Sequence, residues 1–170
     1  SRLIDHIIVA LHDAAAHDSD AAPLAVVAVG GYGRGELAPY SDVDLLFLLE
    51  GDATPADTQV VEFVLYMLWD LGLQVGHATR TVDHCLADAG ADMTIRTTLV
   101  EARLVAGHDT LFATLRRRFR DELVDGTAAE FVSAKLRERN DRHARMGDSR
   151  YVLEPNIKDG KGGLRDRHTL

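Results

Sequence analysis

Two aspartates separated by one residue open the run Ser41-Asp42-Val43-Asp44-Leu45-Leu46-Phe47-Leu48. On a strand, alternation places residues i and i+2 on the same face, so Asp42 and Asp44 are expected to project together. Adjacent carboxylates repel each other, and a divalent cation relieves that repulsion. Mg²⁺ suits the arrangement, because it is typically held by one or two carboxylates completed by waters and substrate phosphates. A second metal shared by the same pair would clamp the attacking and leaving oxygens of an in-line displacement. For an isolated Asp-x-Asp the plain alternative is a solvated strand end. Here the pair follows Gly30-Gly31 by eleven residues and leads into an apolar strand, which favours the metal reading.

The glycines themselves occupy Val29-Gly30-Gly31-Tyr32-Gly33-Arg34-Gly35-Glu36. Such a turn leaves backbone amides free to face phosphate oxygens and admits positive φ angles. Two familiar phosphate loops fail on inspection. A Walker loop needs Lys-Ser/Thr where Glu36-Leu37 stands, and a dinucleotide fingerprint needs a glycine at Glu36. Arg34 is read either as a phosphate contact or as a structural partner of Glu36 or Asp42. Lys158, Lys161 and Arg165 lie among Gly160, Gly162 and Gly163, where close backbone approach makes a phosphate or acceptor contact plausible, with a plain tail as the alternative.

The elements that must carry these residues follow from periodicity. Leu3 to Ala16 has apolar residues spaced for one helical face, Leu24 to Val29 reads as a buried strand, and Val43 to Leu49 as a second. Thr54-Pro55-Ala56-Asp57 is a helix start, with Thr54 as cap and Pro55 at the first position, running to about Leu71. Leu73 to Thr81 is expected as a third strand. Helices are expected near Asp83 to Ala89, Asp92 to Ala106, Asp109 to Val124 and Ala128 to Met146. Phe63, Leu65, Leu68 and Trp69 are expected in the core. The fold class is α+β: a small mixed β-sheet core followed by a helical second half. The expected organisation is an N-terminal helix and linker over 1–23, the core over 24–90, a helical region over 91–147, and a glycine-rich basic loop over 148–170. Its uncapped end suggests a piece of a longer protein.

Composition narrows the classes. The 170 residues are 46% hydrophobic and 27% charged, as expected of a folded domain with a real core. No apolar run is long enough to span a bilayer, and the first residues lack the order of a secretion signal, so a cytoplasmic protein without membrane contact is expected. One cysteine, Cys85, excludes an internal disulfide and a Cys-based zinc cluster; it is read as packing. The formal net charge is -8, with three basic against fourteen acidic residues in 1–90 and sixteen against thirteen in 91–170. An acidic chain of this kind disfavours nucleic acid as a partner. The arginines at 116, 117, 118 and 120 and at 137, 139, 142 and 145 read as a solvated face, with docking of an acidic partner as the alternative.

An apolar strand, Gly-Gly, about ten residues and Asp-x-Asp on the next strand resemble the nucleotidyltransferase superfamily typified by DNA polymerase β. More narrowly, Gly30 to Leu37 with Ser41 to Leu46 is similar to the bacterial PII-protein uridylyltransferase/uridylyl-removing enzymes. Leu68-Trp69-Asp70 with Val75-Gly76-His77, Glu101-Ala102-Arg103-Leu104, and Glu154 to Lys158 with Gly162 to Asp166 fit the same family. The resemblance implies that Asp42 and Asp44 are catalytic and bind Mg²⁺. It implies that Gly30, Gly31, Gly33, Arg34 and Ser41, with Lys158 and Lys161, hold the UTP triphosphate. It implies transfer of UMP to a tyrosine of the PII signalling protein. The family's hydrolase and glutamine-sensing parts have no counterpart in these residues, and the pairs His12-Asp13 and His17-Asp18 read as solvated coincidences.

One departure stands out. The superfamily usually draws a third carboxylate from the next strand, yet Leu73 to Thr81 holds no Asp or Glu. Glu101, Glu154 and Asp166 are the candidates, and His77 is either a core histidine or a site residue. Two alternatives remain open on the sequence: a small-molecule or nucleic-acid acceptor, and a non-catalytic domain that binds nucleotide for regulation.

Overall fold

The structure, a computed structural model, describes residues 1–17, 22–37 and 41–145. Two compact units divide the chain, Ser1–Leu123 and Val124–Leu170. The first contains α1 (Arg2–His17), β1 (Leu24–Ala28), α2 (Gly30–Gly33), β2 (Val43–Leu49), α3 (Pro55–Asp70), β3 (Val75–Thr81), α4 (Val82–Ala91), α5 (Met93–Val100), β4 (Arg103–Gly107) and α6 (Asp109–Phe119). A π-helical turn, Arg120–Val124, follows α6. In the second unit the described helix is α7 (Ala128–Arg145). No helix among the described residues is long and apolar enough to cross a membrane.

The sheet has the order β3-β2-β1-β4, with β1 antiparallel to both β2 and β4 and β2 parallel to β3. This is the mixed sheet expected from the sequence. All five residues of β1 are buried, because helices cover both faces. On one face Val26, Leu45 and Phe47 pack with Ile8 of α1 and with Val64, Leu65 and Leu68 of α3. Alternation turns Val27, Leu46 and Leu48 to the other face; α4 and α6 contact the sheet, and their Leu86, Phe112 and Leu115 are buried.

The start of α3 shows how tightly local sequence signals are satisfied. Thr54 and Asp57 form a reciprocal capping box: the Asp57 amide donates to Thr54 Oγ1 at 3.2 Å and the Thr54 amide donates to Asp57 Oδ2 at 2.9 Å. Asp57 is buried, and its Oδ1 also accepts the Ala22 amide at 3.0 Å, pinning the chain ahead of β1 to the head of α3.

Two expectations need correcting. The helix expected over Asp92 to Ala106 is instead α5 followed by the edge strand β4. Asp92 caps α5 by accepting the Thr94 and Ile95 amides, and Leu104-Val105-Ala106 is too short a run for periodicity to separate strand from helix. Phe63 and Trp69 are also not core residues, being 40% and 42% exposed on α3. The buried stripe of that helix is Val60, Val61, Val64, Leu65 and Leu68, which leaves Phe63, Tyr66 and Trp69 along its flank.

Candidate active site

Asp44 is the second residue of β2 and pairs in parallel register with Gly76 of β3, while its carbonyl accepts the Val29 amide at 3.1 Å. Glycine is required around its carboxylate. A Cβ on Gly76 would lie 2.6 Å from Asp44 Oδ1, and one on Gly30 would lie 3.3 Å from Oδ2. Gly30 also has φ +57, a left-handed conformation that side chains disfavour. The carboxylate thus sits half-buried between two positions that have no side chain. Carboxylate oxygens beside a cavity suit a hard cation that brings its own waters and phosphates, so the donor type fits Mg²⁺. Asp42 lies one residue ahead of β2 and is exposed, as is Ser41.

The glycine stretch departs from an open turn. Gly30–Gly33 winds into the single helical turn α2, closed by the amides of Gly33 and Arg34 donating to the Val29 and Gly30 carbonyls at 3.0 and 3.2 Å. Gly33 serves packing as well: a Cβ there would lie 2.3 Å from the Glu101 carbonyl oxygen. Gly31 is half-buried within the same turn, at the end where helix amides lack intrahelical partners. The Arg34 guanidinium pairs with Glu101 at 2.5 Å and with Glu36 at 3.4 Å. Glu101 therefore carries a cationic partner. No group of three or more His, Cys, Asp or Glu residues poised for a metal occurs among the described residues. Glu154, Lys158, Lys161 and Asp166, and the expectation that their loop folds back over the carboxylates, lie outside the described residues.

Beneath α2 runs a clamp absent from the sequence reading. The buried Tyr32 hydroxyl donates to Asp5 Oδ1 of α1 at 2.6 Å, and Arg103 of β4 donates from Nη1 and Nη2 to both Asp5 oxygens at 3.2 and 3.1 Å. The Arg103 guanidinium also lies 5.4 Å from the Tyr32 ring centroid and reaches the Gly33 carbonyl at 3.4 Å. Burial acts to raise the Asp5 carboxyl, but the hydrogen bonds of Tyr32 and Arg103 and the arginine charge outweigh it and hold the group below its ordinary range. Burial, reinforced by Asp5, pushes the Tyr32 hydroxyl up, so it stays protonated and donates. The signal lay in Tyr32 among glycines and in Glu101-Ala102-Arg103, but only the fold joins them to Asp5.

A cavity of about 350 Å³ opens beside Asp44 and Gly30. It runs over Gly76, Ala78 and Arg80 of β3 and under Cys85 and Asp88 of α4 and Ile95, Thr98 and Leu99 of α5. Burial pushes the Cys85 thiol up to about 12, so it is an apolar wall and not a nucleophile. His77 is exposed, lines the cavity and meets the Trp69 ring edge-on at 6.1 Å.

Residues 14–105 match the family described as nucleotidyltransferase domain. The chain belongs to that family. Residues 130–170 match a second family, described as GlnD PII-uridylyltransferase. The chain is 62% identical over 147 residues to a bifunctional uridylyltransferase/uridylyl-removing enzyme of Rhodopseudomonas palustris, covering 86% of this chain and 16% of the relative. Proteins of the same description from Azospirillum brasilense and Caulobacter vibrioides are 63% and 51% identical, over 85% and 100% of this chain and 16% and 19% of theirs. The chain therefore spans less than a fifth of the length of these curated relatives. A crystal structure titled as a toxin-antitoxin with AMP-PNP overlays at TM-score 0.43 and 14% identity, covering 85% of this chain and 96% of that one. Family membership makes the Asp44 region, with its glycine cradle and adjoining cavity, the candidate site of nucleotidyl transfer.

Proposed function

We propose that the chain is the catalytic nucleotidyltransferase part of an enzyme that moves UMP from UTP to a tyrosine of the PII signalling protein. The observation that carries the reading is Asp44, held between Gly30 and Gly76 at the mouth of a nucleotide-sized cavity in a chain of the nucleotidyltransferase family. The finer substrate assignment is supported by the activity for which the relatives are named and by the match of residues 130–170.

In this reading Asp42 and Asp44 hold Mg²⁺, which supplies charge neutralisation to the triphosphate when bound. Pairing of β2 with β3 fixes the Asp44 backbone, and the two flanking glycines make room for its carboxylate. Gly30 and Gly31, with Ser41, Lys158 and Lys161, cradle the phosphates while Gly33 packs the turn against Glu101, and Arg34 lends its charge from its pair with Glu101. The acceptor tyrosine oxygen forms a bond to the α-phosphorus, the α–β phosphoanhydride bond breaks, and pyrophosphate departs with that electron pair. The tyrosine proton passes to solvent or to a nearby carboxylate. The proposed substrates are soluble, and on that ground we propose a cytoplasmic setting.

The test uses UTP labelled separately at the α- and γ-phosphorus, with Mg²⁺ and purified PII protein. Label from the α position on PII, and none from the γ position, supports uridylyl transfer. Label reaching a small molecule or an RNA end instead of PII would replace the acceptor, and binding without transfer would leave a regulatory nucleotide-binding domain.

A further inference from the structure

Register and side-chain size along β3 give the cavity a direction. Gly76, Ala78 and Arg80 pair with Asp44, Leu46 and Leu48 and share their face of the sheet. Two small residues therefore floor the slot beside Asp44, and a long cation closes its far end. Arg80 stands four residues beyond Gly76, roughly 13 Å along the strand, about the reach of an extended nucleotide from its α-phosphate to the far edge of its base. The roof formed by Cys85, Ile95 and Leu99 is apolar, as the faces of a planar base require. At the far end Arg80 and Asp88 form an ion pair, with Nε 2.8 Å from Oδ2. The pair sets guanidinium donors beside a carboxylate acceptor. The pair is half-exposed and contributes little to stability, so its position on the slot calls for another purpose.

We infer that this slot holds the nucleobase of the substrate and that Arg80 and Asp88 read its edge. The matching edge is an imide such as that of uracil, with a carbonyl oxygen for Arg80 and the N3–H for Asp88. The inference rests on the nucleotidyl-transfer reading and adds to it the residues that select the base.

Calorimetric titration of the protein with Mg²⁺ and three probes tests it: UTP, its N3-methyl derivative and inorganic tripolyphosphate. The wild type is expected to bind UTP at least about tenfold more tightly than N3-methyl-UTP, and Asp88→Ala to reduce that ratio to below about twofold. Ala78→Leu, which fills the floor, should weaken UTP by about tenfold or more and leave tripolyphosphate unchanged, with circular dichroism reporting the intact fold. Full N3-methyl discrimination in Asp88→Ala, or equal loss of UTP and tripolyphosphate in Ala78→Leu, overturns the slot. If UTP binds the wild type without discrimination, the slot assignment falls alone. If neither UTP nor tripolyphosphate binds, the nucleotidyl-transfer reading falls with it.

Discussion

Tyr32, in the middle of the glycine turn, donates its hydroxyl proton to Asp5, 27 residues away on the first helix, at 2.6 Å. The turn that faces the candidate site is thereby fastened to α1 from below, and Arg103 locks both partners from β4. Tyr32→Phe keeps the ring and removes the bond. A hydrogen bond to a charged group contributes about 1.5 to 3 kcal/mol, so a loss of that order is expected in urea unfolding. An unchanged unfolding midpoint would show that the clamp contributes nothing.

The same clamp dictates a pH dependence. The Asp5 carboxyl is lowered in the fold relative to its ordinary 3.8. A carboxyl lowered on folding adds stability that is complete above its unfolded pKa and is lost as pH falls through the folded value. The contribution of Asp5 to the urea midpoint is therefore constant from pH 7 to 5 and declines below about 4. Arg103→Met, which removes the charge and two of its hydrogen bonds, should make that decline shallower in unfolding curves collected from pH 5 to 2.5. A steeper decline in the variant would contradict the assignment.

Asp57 offers a separate stability test. Its carboxylate accepts from the Thr54 amide and hydroxyl at 2.9 and 2.7 Å and from the Ala22 amide at 3.0 Å while buried. Asp57→Ala removes the capping box and orphans the Ala22 amide together, an expected loss of about 2 to 4 kcal/mol by chemical denaturation. A loss near 0.5 kcal/mol, the scale of an ordinary surface change, would mean that solvent replaces these bonds freely.

How far the sequence foretold this arrangement varied with the range of the interaction. Thr54, Pro55 and Asp57 act within one turn, and the sequence placed the start of α3 where the structure has it. Asp44 and Gly30 were legible because type and spacing alone mark them. Gly76 was not: its importance comes from pairing with Asp44 across two strands, and register is set by the whole sheet. The same holds for Asp5 and Arg103, 98 residues apart. The apolar core of β4, Leu104, Val105 and Ala106, carries no period that separates strand from helix, and the strand forms by docking against β1. Hydrophobicity alone points Trp69 and Phe63 to the core, yet the stripe from Val60 to Leu68 already fills the space against the sheet.

Gly76 yields a prediction about chemistry and not stability. Gly76→Ala would set a methyl group 2.6 Å from Asp44 Oδ1 and force the carboxylate aside. Misplacing a reacting-site group by about 1 Å costs on the order of a hundredfold in rate, so the proposed uridylyl transfer should fall by at least tenfold. Gly51→Ala, where nothing lies within 4 Å of the new methyl, should leave the rate unchanged. Equal rates for the two variants would remove Asp44 from the centre of the site.

The most direct measurement is the Mg²⁺-dependent rate of UMP transfer from UTP to PII in Asp44→Asn, compared with the wild type at matched fold by circular dichroism. Asparagine keeps the size of the side chain, so the half-buried position between Gly30 and Gly76 is preserved and only the charge is lost. The expected result is a loss of at least about a thousandfold in rate, since in the proposed mechanism the Asp44 carboxylate holds the metal. Retention of most of the transfer rate in Asp44→Asn would contradict the account.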